Sequence, residues 1–178
     1  MLNKSVQFLL AAMLAAVPPA IHAQPFPSKG PIRLVVGFAP GGGTDAIARA
    51  LNTRLGEILK QSVVVENRAG AGGTVSTEHV AKSAPDGYTI SFTLNNHSIN
   101  QALYAKLPFD TERDLRGVTL IGALPQLFAA HPSAPANTLQ EFLQQAKGAD
   151  QRARTYANGG VGSPGHFAAA YLESLSGV

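Results

Sequence analysis

An apolar run that ends in three glycines and restarts as an amphipathic helix leaves this chain few folds to choose from. Residues 32–38 read Ile-Arg-Leu-Val-Val-Gly-Phe and pass through Ala-Pro-Gly-Gly-Gly-Thr to Asp45. A near-continuous apolar run stopping at such a turn is the pattern of a strand buried on both faces. Residues 45–60 then carry Ala46, Ile47, Ala50, Leu51, Leu55, Ile58 and Leu59 at helical spacing. Thr44 or Asp45 can cap the first turn, and Lys60 sits favourably at the C-terminal end. The unit recurs with a strand at 62–66, the loop Asn67-Arg-Ala-Gly-Ala-Gly-Gly73, a helix at 75–83, the turn Pro85-Asp-Gly87 and a strand at 88–93. This alternation defines an α/β fold of right-handed βαβ units, with a mostly parallel sheet flanked by helices.

Downstream, residues 95–98 read as a polar loop, 99–106 as a short helical turn and 108–116 as an irregular polar stretch. The texture changes near Gly117. Residues 118–121 and 127–130 are strand-like, with a domain crossing between them. Thr138-Leu-Gln-Glu141 has capping-box spacing, in which each side chain can reach the other's orphan N–H, and it opens a helix. Residues 154–157 read as another strand, 158–164 as another glycine loop and 165–175 as another helix. The domains expected are a first α/β lobe at 24–122 and the start of a second at 123–178. Two ordinary lobes need about 300 residues, so the second is expected to be truncated.

The N-terminus reads as a cleavable secretory signal peptide. Lys4 precedes a short apolar run at 8–17, Pro18 and Pro19 break it, and Ala23 offers a small residue at the cleavage position, leaving Gln24 first in the mature chain. The run is too short to span about 30 Å of hydrocarbon at about 1.5 Å per residue. Residues 25–31 read as an extended leader into the first strand. With no cysteine in the chain, disulfides, thiolate metal sites and cysteine nucleophiles are excluded. A 45% apolar, 14% charged composition supports an ordinary hydrophobic core. Net charge is +3, falling to +2 when Lys4 leaves with the leader, and no basic block argues for nucleic acid.

The chemistry concentrates in the glycine loops. At Phe38, Ala39, Gly41, Gly42, Gly43, Thr44 and Asp45 a buried strand meets a helix start. Glycines admit close approach of a ligand to backbone, and the first helical N–H groups lack intrahelical partners. Together with the positive dipole end they make an anion site, to which Thr44 adds a hydroxyl. Asp45 is either a plain cap or an acceptor for a ligand donor. The same arrangement returns at Asn158, Gly159, Gly162, Ser163 and His166. Two such loops on different lobes favour a cleft that pinches an anion over two separate turns. Residues 69–73 read as a packing loop. Asn95 to Ser98 follow the third strand on the side where open α/β sheets bind ligands, and Asn95 and Ser98 are candidate wall residues.

Catalytic readings fare less well. Gly41-x-Gly43-x-x-Ala46 matches a relaxed dinucleotide fingerprint, with Glu66 at the ribose-binding position. A nicotinamide enzyme is unexpected behind a secretory signal, and whether Glu66 faces the glycine loop separates the two. No Walker A loop is present, and Val161 breaks a Gly-x-Ser-x-Gly elbow at Ser163. His79, His97, His131 and His166 show no metal-ligand spacing. His79 reads as a helix-surface residue and His131 as the end of a strand. Asp110, Glu112 and Asp114, interleaved with Arg113 and Arg116, read as a solvated loop.

Five motifs then occur in order: Pro27-Ser-Lys-x-x-Ile-Arg-Leu-Val-Val, Pro40-Gly-Gly-Gly-Thr-Asp45, Val63-Val-Val-Glu-Asn-Arg-x-Gly-Ala-Gly-Gly73, Pro85-Asp-Gly-Tyr-Thr89 and Ala102-Leu-Tyr-x-Lys-Leu-Pro108. This ordered set resembles the Bug family, the solute receptors associated with tripartite tricarboxylate transporters. The resemblance implies a type II periplasmic-binding-protein fold of two hinged lobes, a periplasmic location, no catalysis and no cofactor. It implies a small organic acid held in the cleft through residues 38–45, 95–98 and 158–166, largely by backbone groups. The partner implied is the membrane part of a transporter or a sensor, and the chain is expected to be a monomer. Gly37 and Ala39 stand where the family often has prolines. The open alternative is a truncated remnant that binds nothing.

Overall fold

A computed structural model describes residues 25–148 and 155–178. The expected leader, its cleavage site and Arg154 lie outside the described residues. Strand β1 (Ile32–Val36) is the centre of a three-stranded sheet of order β2-β1-β3, with β2 at Val63–Asn67 and β3 at Thr89–Phe92. Both pairings are parallel, with Leu34 opposite Val65 on one side and Ile90 on the other. Helix α1 (Gly43–Leu59) connects β1 to β2, and α2 (Thr74–Ala81) connects β2 to β3 after a 3₁₀ turn at Ala71–Gly73. The parallel α/β expectation is met, and all three strands deliver their carboxyl ends to one edge.

Alternation along the strands divides the sheet into two faces. Leu34 and Val36 lie on the α1 face and pack with Ala48, Val63, Val65, Ile90 and Phe92. Val35, fully buried, occupies the other face. Helix α1 meets the sheet along a narrower stripe than its apolar positions imply. Ala48 is buried, Ile47, Leu51 and Leu59 are half-buried, and Ala46, Ala50, Leu55 and Ile58 are exposed. The helix begins at Gly43, earlier than expected, and ends with Lys60 in a left-handed C-cap at φ 51. The segment before β1 is a turn rather than an extended leader: Ser28 N donates to Pro25 O at 2.9 Å, and Phe26 packs edge-on to Tyr88 at 5.2 Å.

Helix α3 (Asn96–Leu103) starts inside the stretch expected as loop, and the short α4 (Thr111–Asp114) replaces an expected irregular one. The latter forms because Asp110 accepts from the N–H groups of Glu112 and Arg113, both at 3.0 Å. Helix α5 (Leu139–Gly148) opens at the expected capping box, where Glu141 N donates to Thr138 Oγ1 at 3.2 Å. Glu141 reaches the N–H of Asn137 at 2.9 Å, one residue earlier than the box predicts. Helix α6 (Pro164–Ser176) closes the described chain.

The strands expected at 118–121 and 127–130 do not form, nor does one at 155–157. Val118, Leu120 and Leu127 are 83%, 88% and 90% exposed. A strand is stable only when a neighbour takes its N–H and C=O groups, and among the described residues none lies alongside. His131, expected at a strand end, instead caps a local turn through Ser133 at 2.7 Å. Replacing buried Leu34 with alanine is expected to cost about 2–5 kcal/mol, whereas exposed Leu127→Ala should change stability by less than about 0.5 kcal/mol. Urea unfolding of the two variants checks the contrast.

Candidate functional site

The carboxyl edge carries three loops, at residues 37–42, 68–73 and 93–95. Because β2 and β3 flank β1 on opposite sides, the connections leaving the sheet diverge there and open the crevice in which α/β folds bind ligands. The loops converge closely. A Cβ on Gly37 would stand 2.6 Å from Ser76 Oγ and 3.1 Å from Gly73 Cα. One on Gly73 would lie 3.4 Å from Asn96 Nδ2 and 4.0 Å from the Phe38 ring.

The first loop is held by a closed polar ring. Asp45, 3% exposed, receives Arg49 Nε at 2.8 Å, Gly41 N at 2.9 Å and Asn67 Nδ2 at 2.8 Å. Asn67 Nδ2 also reaches Phe38 O at 3.1 Å, and its Oδ1 accepts from Arg49 Nη2 at 3.1 Å. Asp45 is therefore neither a plain cap nor a free acceptor. Gly42 is the N-cap and receives no side-chain cap, so Asp45 and Thr44 do not cap the helix start as expected. The Arg49 guanidinium beside it, with the Gly41 N–H and the Asn67 amide, holds the Asp45 carboxyl well below the usual carboxylate range. Thr44 is buried, while Ala39, Gly41, Gly42 and Gly43 are exposed and Phe38 is half-buried. Asn67 was not anticipated from sequence. Its one signal was its place at the end of the second strand, beside the more conspicuous Glu66. Glu66 lies on the sheet face opposite α1 and pairs with Arg68 at 2.6 Å. Asn67, not Glu66, reaches the glycine loop.

The second expected loop also arrives at this edge. A Cβ on Gly72, at φ +59, would meet Val161 O at 2.6 Å and the Gly162 carbonyl carbon at 2.7 Å. Gly162, at φ +82, has Asn100 Oδ1 within 2.8 Å of the same hypothetical position. The 69–73 loop thus packs, as expected, and bridges the other two. Asn96 and Asn100 donate their amides to Gly72 O, the latter at 3.2 Å, and Tyr104 Oη donates to Ala71 O at 3.3 Å. The wall residues proposed from sequence, Asn95 and Ser98, are exposed, whereas Asn96 and Asn100 are 1% and 2% exposed. Helical periodicity places 96 and 100 on one face and turns 95 and 98 away.

At the start of α6, Ser163 is buried and its Oγ accepts from His166 N at 3.3 Å, while Pro164 offers no N–H. This helix start is capped by its own serine and presents fewer free donors than the sequence reading assumed. Asn158 and Gly159 are exposed, and His166 is half-buried with Nδ1 3.5 Å from Gly162 N. His79 corrects the surface reading: its Nε2 is buried with no hydrogen-bond partner. His97 is also half-buried, and burial holds its pKa below the ordinary histidine value. Among the described residues no cluster of three His, Asp or Glu could hold a metal, and no helix is long and apolar enough to cross a membrane. A cavity of ≈ 370 Å³ lined by Phe128, Thr138 and Phe142 shares no lining residue with these loops.

An open parallel sheet with ligand-sized glycine loops at its carboxyl edge is the build of a periplasmic binding-protein lobe, and known proteins agree. Residues 47–178 match the tripartite tricarboxylate transporter family receptor, TctC. This chain belongs to that family. A UPF0065 protein of Bordetella pertussis is 38% identical over 170 residues, covering 95% of this chain and 51% of that protein. BugT of the same organism is 32% identical over 173 residues, with 96% and 52% coverage. Among solved structures, MatC of Rhodopseudomonas palustris with bound malate aligns at a TM-score of 0.74 and 31% identity, covering 85% of this chain and 51% of that one. A second R. palustris protein, solved with adipate, aligns at 0.76 and 32% identity, with 85% and 50% coverage. The periplasmic binding protein BugD aligns at 0.69 and 30%, with 84% and 50% coverage. The chain spans about half the length of the curated relatives it matches.

Two expectations follow from the geometry. Gly72→Ala puts a methyl into the Gly162 backbone and is expected to destabilise by about 1–3 kcal/mol and to expose the 158–166 loop to limited proteolysis. A carboxyl whose folded pKa is depressed contributes stability above its unfolded value of about 4, and loses it as pH falls through the folded one. Acid titration of the unfolding midpoint should therefore decline below about pH 4, and Asp45→Asn should flatten that decline.

Proposed function

We propose that this chain is a non-catalytic periplasmic solute-binding protein that captures a small carboxylate. The lobes are residues 24–122 and 123–178, and residues 1–23 export the chain. The ligand lies against the first glycine loop, with the N–H groups of Gly42, Gly43 and Thr44 as donors and Asn158, Gly159 and His166 facing it. The acid is then handed to the membrane part of a tripartite transporter or to a sensor, with the chain acting as a monomer. The malate and adipate held by the similar solved proteins support this ligand class.

One observation carries the reading. Gly43 opens α1 with ordinary helical backbone and nothing within 4 Å of where a Cβ would stand. Neither conformation nor packing requires glycine there, although glycine lowers helix propensity by about 1 kcal/mol relative to alanine. Close approach of a ligand to the uncapped helix start accounts for it. Glu66 turns to Arg68 at 2.6 Å and does not reach the glycine loop, which weighs against the dinucleotide alternative.

The test is thermal unfolding with mono-, di- and tricarboxylates. Binding to the folded state alone adds about 2.7 kcal/mol at a hundredfold excess over the dissociation constant. Wild type should shift with at least one acid. Gly43→Ala should unfold at the same temperature or higher without ligand, yet lose most of that shift. No shift with any acid would sink the receptor reading.

A further inference from the structure

The same turn of α1 that offers N–H donors also carries a carboxylate. Asp45 lies two residues beyond Gly43, 3% exposed, beside the backbone to which the proposed anion binds. An uncompensated charge there would repel a carboxylate ligand through a poorly screened interior. The ring described above removes that problem. Arg49, one turn along the same helix, places Nε 2.8 Å from Asp45 Oδ2, with the side-chain exposure of the pair at 51% and 4%. Asn67 Nδ2 donates to two further acceptors, Asp45 Oδ1 and the carbonyl of Phe38. The loop then carries no uncompensated charge, and the start of α1 that follows it has no side-chain cap on its N–H groups.

We propose that Arg49 is a specificity-determining residue that never touches the ligand: by cancelling the charge of Asp45, it leaves the first glycine loop without net negative charge, so that the loop admits an anion. The inference rests on the receptor reading and adds the residue that sets its charge preference. The other charged groups on neighbouring elements do not substitute for it. Arg33 of β1 is exposed. Glu66 of β2 lies on the opposite sheet face and pairs with Arg68 at 2.6 Å, and Arg54 pairs with Glu57 farther along α1 at 2.8 Å. None of them bonds Asp45.

The experiment is calorimetric titration of the 178-residue chain with malate and adipate, and with their neutral dimethyl esters, alongside the unfolding midpoint of each variant. Arg49→Gln is expected to lose at least about tenfold in diacid affinity, a change of about 1.4 kcal/mol, without a matching loss for the esters. Asp45→Asn combined with Arg49→Gln removes both charges and keeps an amide oxygen for the Gly41 N–H. It should recover to within about threefold of wild type, or about 0.65 kcal/mol, even where its midpoint stays low. A role confined to holding the loop would leave the double variant as weak as the single one, and that result overturns the proposal. So does an Arg49→Gln protein that binds diacid like wild type. If Arg49→Gln does not fold, Asp45→Asn alone decides: an affinity equal to wild type or higher supports the proposal, and a tenfold loss defeats it. Wild type binding neither diacid defeats the receptor reading and this inference together, whereas wild-type binding with an unaffected variant defeats this inference alone.

Discussion

β1 is hydrogen-bonded along both of its edges, and nearly everything at the candidate site hangs from that fact. Residues 32–36 pair with 63–67 on one side, and 33–36 with 89–92 on the other, all in parallel. Parallel pairing sends every strand's carboxyl end to one edge, so three loops distant in sequence meet there without further arrangement. The pairing also explains the run of apolar residues in β1. With both edges bonded and both faces near helices, Leu34 is buried, and Val35 and Val36 have no contact with water.

Close approach of backbones does the rest. The 69–73 loop can sit between two other loops only because Gly72 and Gly162 lack side chains and both adopt left-handed φ. Asn96 and Asn100 reward that approach by donating to the Gly72 carbonyl, which would otherwise be buried without a partner. Their own Oδ1 atoms remain unpaired among the described residues, a sign that this junction holds unused hydrogen-bonding capacity. Asn67 plays the corresponding part for the first loop. The glycines let the loops approach, and the three asparagines tie them there.

A binding surface for anions must present donors and hide acceptors. Backbone supplies both in equal number, so selectivity has to come from what ties the carbonyls down. Here the Phe38 carbonyl and the Asp45 carboxylate are both taken by side chains, while the N–H groups at the start of α1 receive no side-chain cap. The start of α6 is built differently: Ser163 Oγ takes the His166 N–H, and Pro164 has none to offer. The two helix starts look alike in sequence and differ in chemistry.

The sequence by itself determined the parallel α/β class, the three central strands, the helices between them and the positions of all three glycine loops. These follow from local rules: apolar runs bounded by glycine, helical spacing and capping residues act within a few residues along the chain. It pointed to the right family for the same reason, since the motifs are contiguous. Tertiary structure alone decided which polar residues face inward. Asn96 over Asn95, Asn67 over Glu66 and the burial of the His79 Nε2 each turn on helix phase or strand face relative to a neighbour far away in sequence. It also decided that residues 118–121 and 127–130 stay irregular and exposed, because an apolar stretch becomes a strand only when another backbone lies alongside to complete its hydrogen bonds.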